Sequence, residues 1–292
     1  MEVFEMISEY VWKTLSLSKK FNILQGEETV SDSILLKLAI AGDTSLSIIK
    51  TPKNIEKIKG TDWEWWIGCR STGWVRIAAQ AKKIDKNGRH YSAFKHKVGK
   101  TGIYQHKILE AYSKRKTAYP IYVFYNHTNL VDPKKHWHCN KNEFQEDLLG
   151  ISFTNYYNIK AKFTTRGGKD FESLHSNKFM FPLKCLMSCI TISRRRVPLA
   201  SQTPPSKNGT LQLMVSSNFL SYASKQNYVN FLSLHGESLE NFTYFKGEDI
   251  KEKILNSDGE FNPSLKHTDQ FINCPSRIVI IDIEDKLMAS NS

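Results

Sequence analysis

The strongest constraint on the fold is a pair of extended segments held close together in the chain. Residues 61–67 form an aromatic run and residues 74–84 are rich in Val, Ile and Ala, with Gly68-Cys69-Arg70-Ser71-Thr72-Gly73 between them. A short glycine-bounded connection between two runs of strand composition predicts a β-hairpin. If the turn centres near Ser71, Asp62 lies opposite Gln80, Gly60 opposite Lys82 and Glu64 opposite Ala78. Strand side chains alternate between faces, so Asp62, Glu64, Gln80 and Lys82 share one face. Two carboxylates, an amide and an ammonium then meet at one end of the hairpin, where Ala78, Ala79 and Ala81 leave room for a ligand.

Helices surround this hairpin. Val3, Phe4, Ile7, Tyr10, Val11 and Leu15 recur at helical spacing, and Ile34, Leu35, Leu36, Leu38 and Ala39 mark a second helix with Thr29 and Ser31 as candidate N-caps. Residues 46–49 read as a short strand, 99–116 as a helix and 119–125 as a buried strand. Farther along, 150–163 and 277–283 read as strands and 183–192 as a helix, while the polar stretch 201–210 reads as a linker or long loop. The fold class is α/β. Residues 1–130 form a core with two N-terminal helices, and residues 131–292 elaborate the same α/β unit as a possible substrate-recognition region.

The chain has 292 residues, 40% hydrophobic and 12% aromatic, enough to bury a full core and to exclude disordered or collagen-like classes. Its formal net charge is +12, and residues 81–120 hold eleven basic residues against Asp85 and Glu110 alone. Such focused charge points to a polyanionic partner, with nucleic acid foremost. The five cysteines are scattered without a CxxC pair, which argues against a disulfide framework or zinc ribbon and fits a reducing compartment. The acidic opening Met1-Glu2-Val3-Phe4-Glu5 is unlike a signal peptide, and no apolar stretch reaches 18 residues. A cytoplasmic protein without a membrane partner is expected.

Gly60-x-Asp62, the hairpin, Gln80-Ala81-Lys82, the basic helix and the buried strand together resemble the PD-(D/E)XK, or restriction endonuclease-like, nuclease superfamily in its Mrr-like variant. In that variant Gln replaces the acid of the last motif. The resemblance spans roughly residues 20–126. It implies a mixed four-stranded sheet flanked by helices, cleavage of DNA phosphodiesters with Mg²⁺ or Mn²⁺, and a role in restriction or anti-phage defence. Asp62, Gln80 and Lys82 are then the catalytic residues. Asp62 is the principal metal ligand and Gln80 offers a carbonyl oxygen, while Lys82 positions the attacking water and stabilises the phosphate. The superfamily adds a helix acid, for which Glu28 is narrowly preferred to Glu27, and Glu64 is a further source of negative charge. Lys83, Arg89, Lys95, Lys97, Lys100, Gln105 and Lys107 are the candidate contacts to double-stranded DNA. A homodimer or a defence-system partner protein fits the same reading.

Two readings from other classes stay open. A catalytically inactive nucleic-acid-binding protein would keep the scaffold and the charge without cleaving. A zinc-dependent interaction protein would draw on His136, His138, Cys139, Cys185 and Cys189, which lack zinc-finger spacing. Val98-Gly99-Lys100-Thr101 resembles the end of a nucleotide-binding P-loop, but Phe94 stands where its first glycine is required.

Overall fold

The computed structural model describes residues 2–50, 61–69, 73–98, 102–116, 118–129, 132–139, 143–164, 168–176, 180–188, 190–194, 211–215 and 277–282. The chain opens with helices α1 (Glu2–Lys20) and α2 (Glu27–Ile40), followed by strand β1 (Leu46–Lys50) and the hairpin β2 (Trp63–Cys69) and β3 (Gly73–Lys83). A two-stranded ribbon of β4 (Lys97–Val98) and β5 (Ile103–Tyr104) precedes α3 (Gln105–Lys116) and β6 (Tyr119–Tyr125). Next come β7 (Ile151–Asn155), α4 (Tyr156–Ile159), α5 (Phe171–His175), β8 (Phe181–Pro182) and α6 (Lys184–Ser188). Strands β9 (Ile190–Arg194) and β10 (Leu211–Val215) pair with each other, and β11 (Arg277–Asp282) is the last described strand.

Seven strands form one mixed sheet in the order β1-β11-β2-β3-β6-β7-β8. The hairpin register matches the sequence expectation, with Trp63 opposite Ala79 and Glu64 opposite Ala78. β6 runs parallel to β3 and aligns Gln80 with Tyr122, while β11 runs parallel to β2 and antiparallel to β1. A C-terminal segment thus lies between two N-terminal strands, which hydrophobic patterning does not specify.

Alternation along the strands makes two apolar faces, each covered by helices or loops. On one, Trp63, Trp65, Ile121, Val123 and Val279 are buried beneath α1 and α2. Phe4 of α1 packs on Trp65 with ring centroids 5.9 Å apart, and Ser31 of α2 meets the Tyr125 hydroxyl at 2.8 Å. The other face carries Gln80, Lys82, Tyr122 and Phe124. It is closed by aromatic packing of Phe94 on Phe163 at 4.3 Å and of Tyr91 on Phe124 at 4.8 Å. Trp63, Trp65 and Trp66 are all buried, so they pack the sheet and are not available to stack on bases.

Four local expectations are corrected. The helix expected over 99–116 begins only at Gln105, because Ile103 and Tyr104 pair with β4 and Gly102 adopts a φ of 65°. The strand expected over 150–163 stops at Asn155, whose side chain accepts from the Tyr157 amide at 2.7 Å and caps α4. The helix expected over 183–192 is only the five-residue α6, since Ile190-Thr191-Ile192 favour the extended chain. α2 starts at Glu27 after Gly26, so Thr29 and Ser31 lie inside the helix; Ser31 Oγ bonds the Glu27 carbonyl at 3.0 Å. The stretch 201–210 lies outside the described residues. Among the described residues no helix is long and apolar enough to cross a membrane.

Candidate functional site

The hairpin strands are unequal in length, and the site forms where β2 ends first. The Asp62 amide donates to the Ala79 carbonyl at 3.0 Å, the last backbone bond of that ladder among the described residues. Beyond it, the amides of Ala81 and Lys83 still point toward the missing partner and each needs an acceptor. Side-chain carboxylates supply both. Ala81 N donates to Asp62 Oδ2 at 2.9 Å and Lys83 N to Glu27 Oε2 at 3.1 Å. Two acids are thereby fixed on neighbouring outward amides of one strand, whose spacing is about 6.7 Å.

Lys82 lies between those amides in sequence, and its ammonium reaches Glu27 Oε1 at 3.4 Å. The Lys82 side chain is 2% exposed and that of Glu27 is 28% exposed. Gln80 Nε2 donates to Asp62 Oδ2 as well. The structure therefore brings Asp62, Gln80, Lys82 and Glu27 together. Burial pushes the Glu27 carboxyl above its ordinary range; Lys82 pulls it back and Asp62 pushes it up again, with a net rise.

Two polar atoms here have no hydrogen-bond partner among the described residues: Gln80 Oε1 and the hydroxyl of Tyr122, which is aligned with Gln80 on the next strand. Leaving a buried acceptor unpaired costs about 1–3 kcal/mol. Burial, followed by the charges of Tyr156, Asp62 and Glu27, raises the Tyr122 phenol well above its ordinary value. Carboxylate and amide oxygens are the hard donors that Mg²⁺ and Mn²⁺ take, so Asp62, Glu27 and Gln80 Oε1 fit such an ion in donor type. Among the described residues no three His, Cys, Asp or Glu side chains form a ready-made metal cluster. The amide oxygen is accordingly needed to make a third donor.

The other expected metal ligands are Glu64 and Glu28. Glu64 is buried, and both its oxygens are engaged: Oε1 accepts from Trp66 Nε1 at 2.8 Å, and Oε2 from Arg76 at 2.8 Å and from the Tyr112 hydroxyl. It shares a sheet face with Asp62 but belongs to an ion-paired cluster under α3. Glu28 is exposed, and its backbone carbonyl is 3.5 Å from Arg277. Glu27, the alternative for that slot, is the helix acid whose carboxylate meets β3. Helical phase carries the signal for this, because position 27 shares a helix face with the buried Ser31, Ile34 and Leu38.

The expected DNA contacts are mixed in character. Arg89, Lys97 and Lys107 are exposed, Lys83 and Lys95 are half-buried, and Lys100 lies outside the described residues. Lys97 sits over the Tyr104 ring at 5.0 Å. Gln105 is buried, and its Oε1 has no partner among the described residues. Of the residues weighed for zinc, His136 is buried edge-on against Phe171 at 5.2 Å, and Cys139 and Cys185 are buried.

No curated protein and no solved structure matches the chain. A family of unknown function, DUF6615, matches residues 1–270, and the protein belongs to that family.

Proposed function

We propose that the protein is a metal-dependent nuclease that hydrolyses phosphodiester bonds of DNA on a restriction endonuclease-like core. The observation that carries this reading is the convergence of Asp62, Glu27, Gln80 and Lys82 where β2 stops and β3 continues. The order α2, β1, β2, β3, α3, β6, with β3 antiparallel to β2 and parallel to β6, supports the same core. The insertion of β11 between β1 and β2 departs from the four-stranded expectation.

A bound divalent cation would neutralise charge on the scissile phosphate and acidify water beside it. Asp62 and Glu27 would hold that cation, each carboxylate already oriented by a β3 amide. Gln80 steadies Asp62 through Nε2 and has its carbonyl oxygen to offer as a further ligand. Lys82, with a charged head and almost no exposure, would donate to a phosphate oxygen as negative charge builds up there. The basic excess of residues 81–120 supplies non-specific attraction to the polyanion.

Plasmid nicking in Mg²⁺ or Mn²⁺ tests the proposal. Wild type is expected to cleave, and Asp62→Ala and Lys82→Ala to lose cleavage. Equal nicking by all three proteins would assign the activity to a contaminant. Salt-sensitive DNA binding without cleavage in either metal would replace the proposal with a non-catalytic nucleic-acid-binding protein.

A further inference from the structure

A cavity of about 260 Å³ lies between the end of α1, the segment leading to α2 and the chain leaving β3. Its wall includes Lys19, Lys83, Lys86 and His127, with Asp85 as its one acid. Neighbouring strand residues project to opposite faces, so Lys82 turns to the candidate cleavage site and Lys83 to this cavity.

The charges in the wall are poorly compensated. Among the described residues Lys19, Lys83 and Lys86 form no ion pair. Among the described residues Lys83 Nζ hydrogen-bonds to the Ile84 carbonyl alone, at 2.9 Å, and burial depresses its pKa although Glu27 and Asp85 oppose the shift. Asp85 is turned into its own loop: the Arg89 amide donates to Oδ1 at 2.9 Å, and the amides of Arg89, His90 and Asn87 hold its carboxyl low against burial. The carbonyls at the end of α1 are also occupied. Leu17, Ser18 and Lys19 accept from Phe21, Ile23 and Asn22 at 2.9, 2.9 and 3.3 Å, so the negative end of that helix is capped. His127 packs edge-on against Trp12 at 4.9 Å, and its Nδ1 is buried without a partner among the described residues.

We propose that this cavity binds a phosphate group, forming an anion subsite separate from the cleavage site but built on the same strand. Three lysines approaching from different elements act as point charges around a multiply accepting anion. The cavity falls just below the roughly 300 Å³ at which pockets for drug-sized ligands begin, so it admits a phosphate with a small organic group attached. The phosphate can come from a nucleic-acid backbone or from a free phosphorylated molecule. This inference goes beyond the nuclease reading and does not require it.

Calorimetry on the full chain without divalent cations tests the subsite, using inorganic phosphate, a 5′-mononucleotide and a short single-stranded oligonucleotide. Lys19 and Lys86 are both exposed, so the double variant Lys19→Glu/Lys86→Glu keeps the fold. It is expected to weaken phosphate binding at least about tenfold, the scale of one lost charge-assisted hydrogen bond. Asp62→Ala is expected to bind as wild type does, which separates this result from any failure to cleave. An oligonucleotide bound much more tightly than the mononucleotide, with that advantage lost in the double variant, identifies the backbone as the source. Equal affinities identify a small phosphorylated ligand. Absence of binding to all three probes, or unchanged affinity in the double variant, overturns the proposal.

Discussion

Lys82 Nζ lies 3.4 Å from Glu27 Oε1, tying the penultimate residue of β3 to the first residue of α2. The contact does not neutralise the site. Asp62 is close enough to push the Glu27 carboxyl upward against the pull of Lys82. An arrangement that costs stability while keeping negative charge beside a buried lysine is typical of a functional site.

This gives a pH dependence with a definite sign. Glu27 titrates near its ordinary value of 4.5 when unfolded and above it when folded. Between the two values the folded state holds more protons, so the group's stabilising contribution is complete below 4.5 and is lost as pH climbs through the folded value. Glu27→Gln removes that slope. Urea unfolding of both proteins from mildly acidic to neutral pH should show the variant gaining on wild type as pH rises. A stability difference that does not change with pH would contradict the assignment.

Divalent cations should relieve the same repulsion. Mn²⁺ at about one hundred times its Kd is expected to stabilise wild type by about 2.7 kcal/mol. Thermal melts with and without Mn²⁺ should show that shift in wild type and lose most of it in Asp62→Ala and Glu27→Gln. A full shift in both variants would place the ion elsewhere.

Glu64 gives the contrasting case. Glu64→Ala strips the carboxylate from Arg76, whose side chain is 14% exposed, and leaves Tyr112 without its acceptor. Breaking a buried pair in this way costs about 3–5 kcal/mol. The double variant Glu64→Leu/Arg76→Met is expected to be milder than the sum of its single changes, because no unpaired charge remains. Denaturant titration of the single and double variants measures this coupling.

Gly150 precedes β7 and lies directly against α1. A Cβ there would clash with the Ser8 carbonyl oxygen and stand 2.8 Å from the Trp12 amide nitrogen, both backbone atoms of α1. Neither can move without displacing the helix. Gly150→Ala is therefore expected to cost at least the 1–3 kcal/mol usual for overpacking, roughly speaking, read as a lower urea midpoint. An unchanged midpoint would mean that α1 does not pack there in solution.

The hairpin was legible because its register follows from the turn, and the turn is bounded by Gly68 and Gly73. The parity that put Asp62 with Gln80 and Lys82 needed nothing more. Glu27 and Glu28 both open α2, so composition leaves them nearly equal, and only the phase set by Ile34 and Leu38 separates them. Sheet-face parity puts Glu64 beside Asp62 and makes it a further source of negative charge. Its ion pair with Arg76 follows from the same alternation, whereas the bond from Tyr112 on α3 is a contact between elements that alternation does not encode. The pairing of β11 with β1 and β2 was hidden for the same reason, although the strand itself was plain from Ile278-Val279-Ile280-Ile281.

That late strand bears on how the chain is made. Arg277 and Asp32, joined at 2.5 Å, stand 245 positions apart. At about 5–20 residues per second, a ribosome takes about 10–50 s to travel between them. From the synthesis of β2 to the end of that interval β1 and β2 lack their shared neighbour, and the tryptophan-rich edge of the nascent protein stays open to aggregation or to capture by chaperones. Truncation ahead of Arg277 would make that temporary exposure permanent.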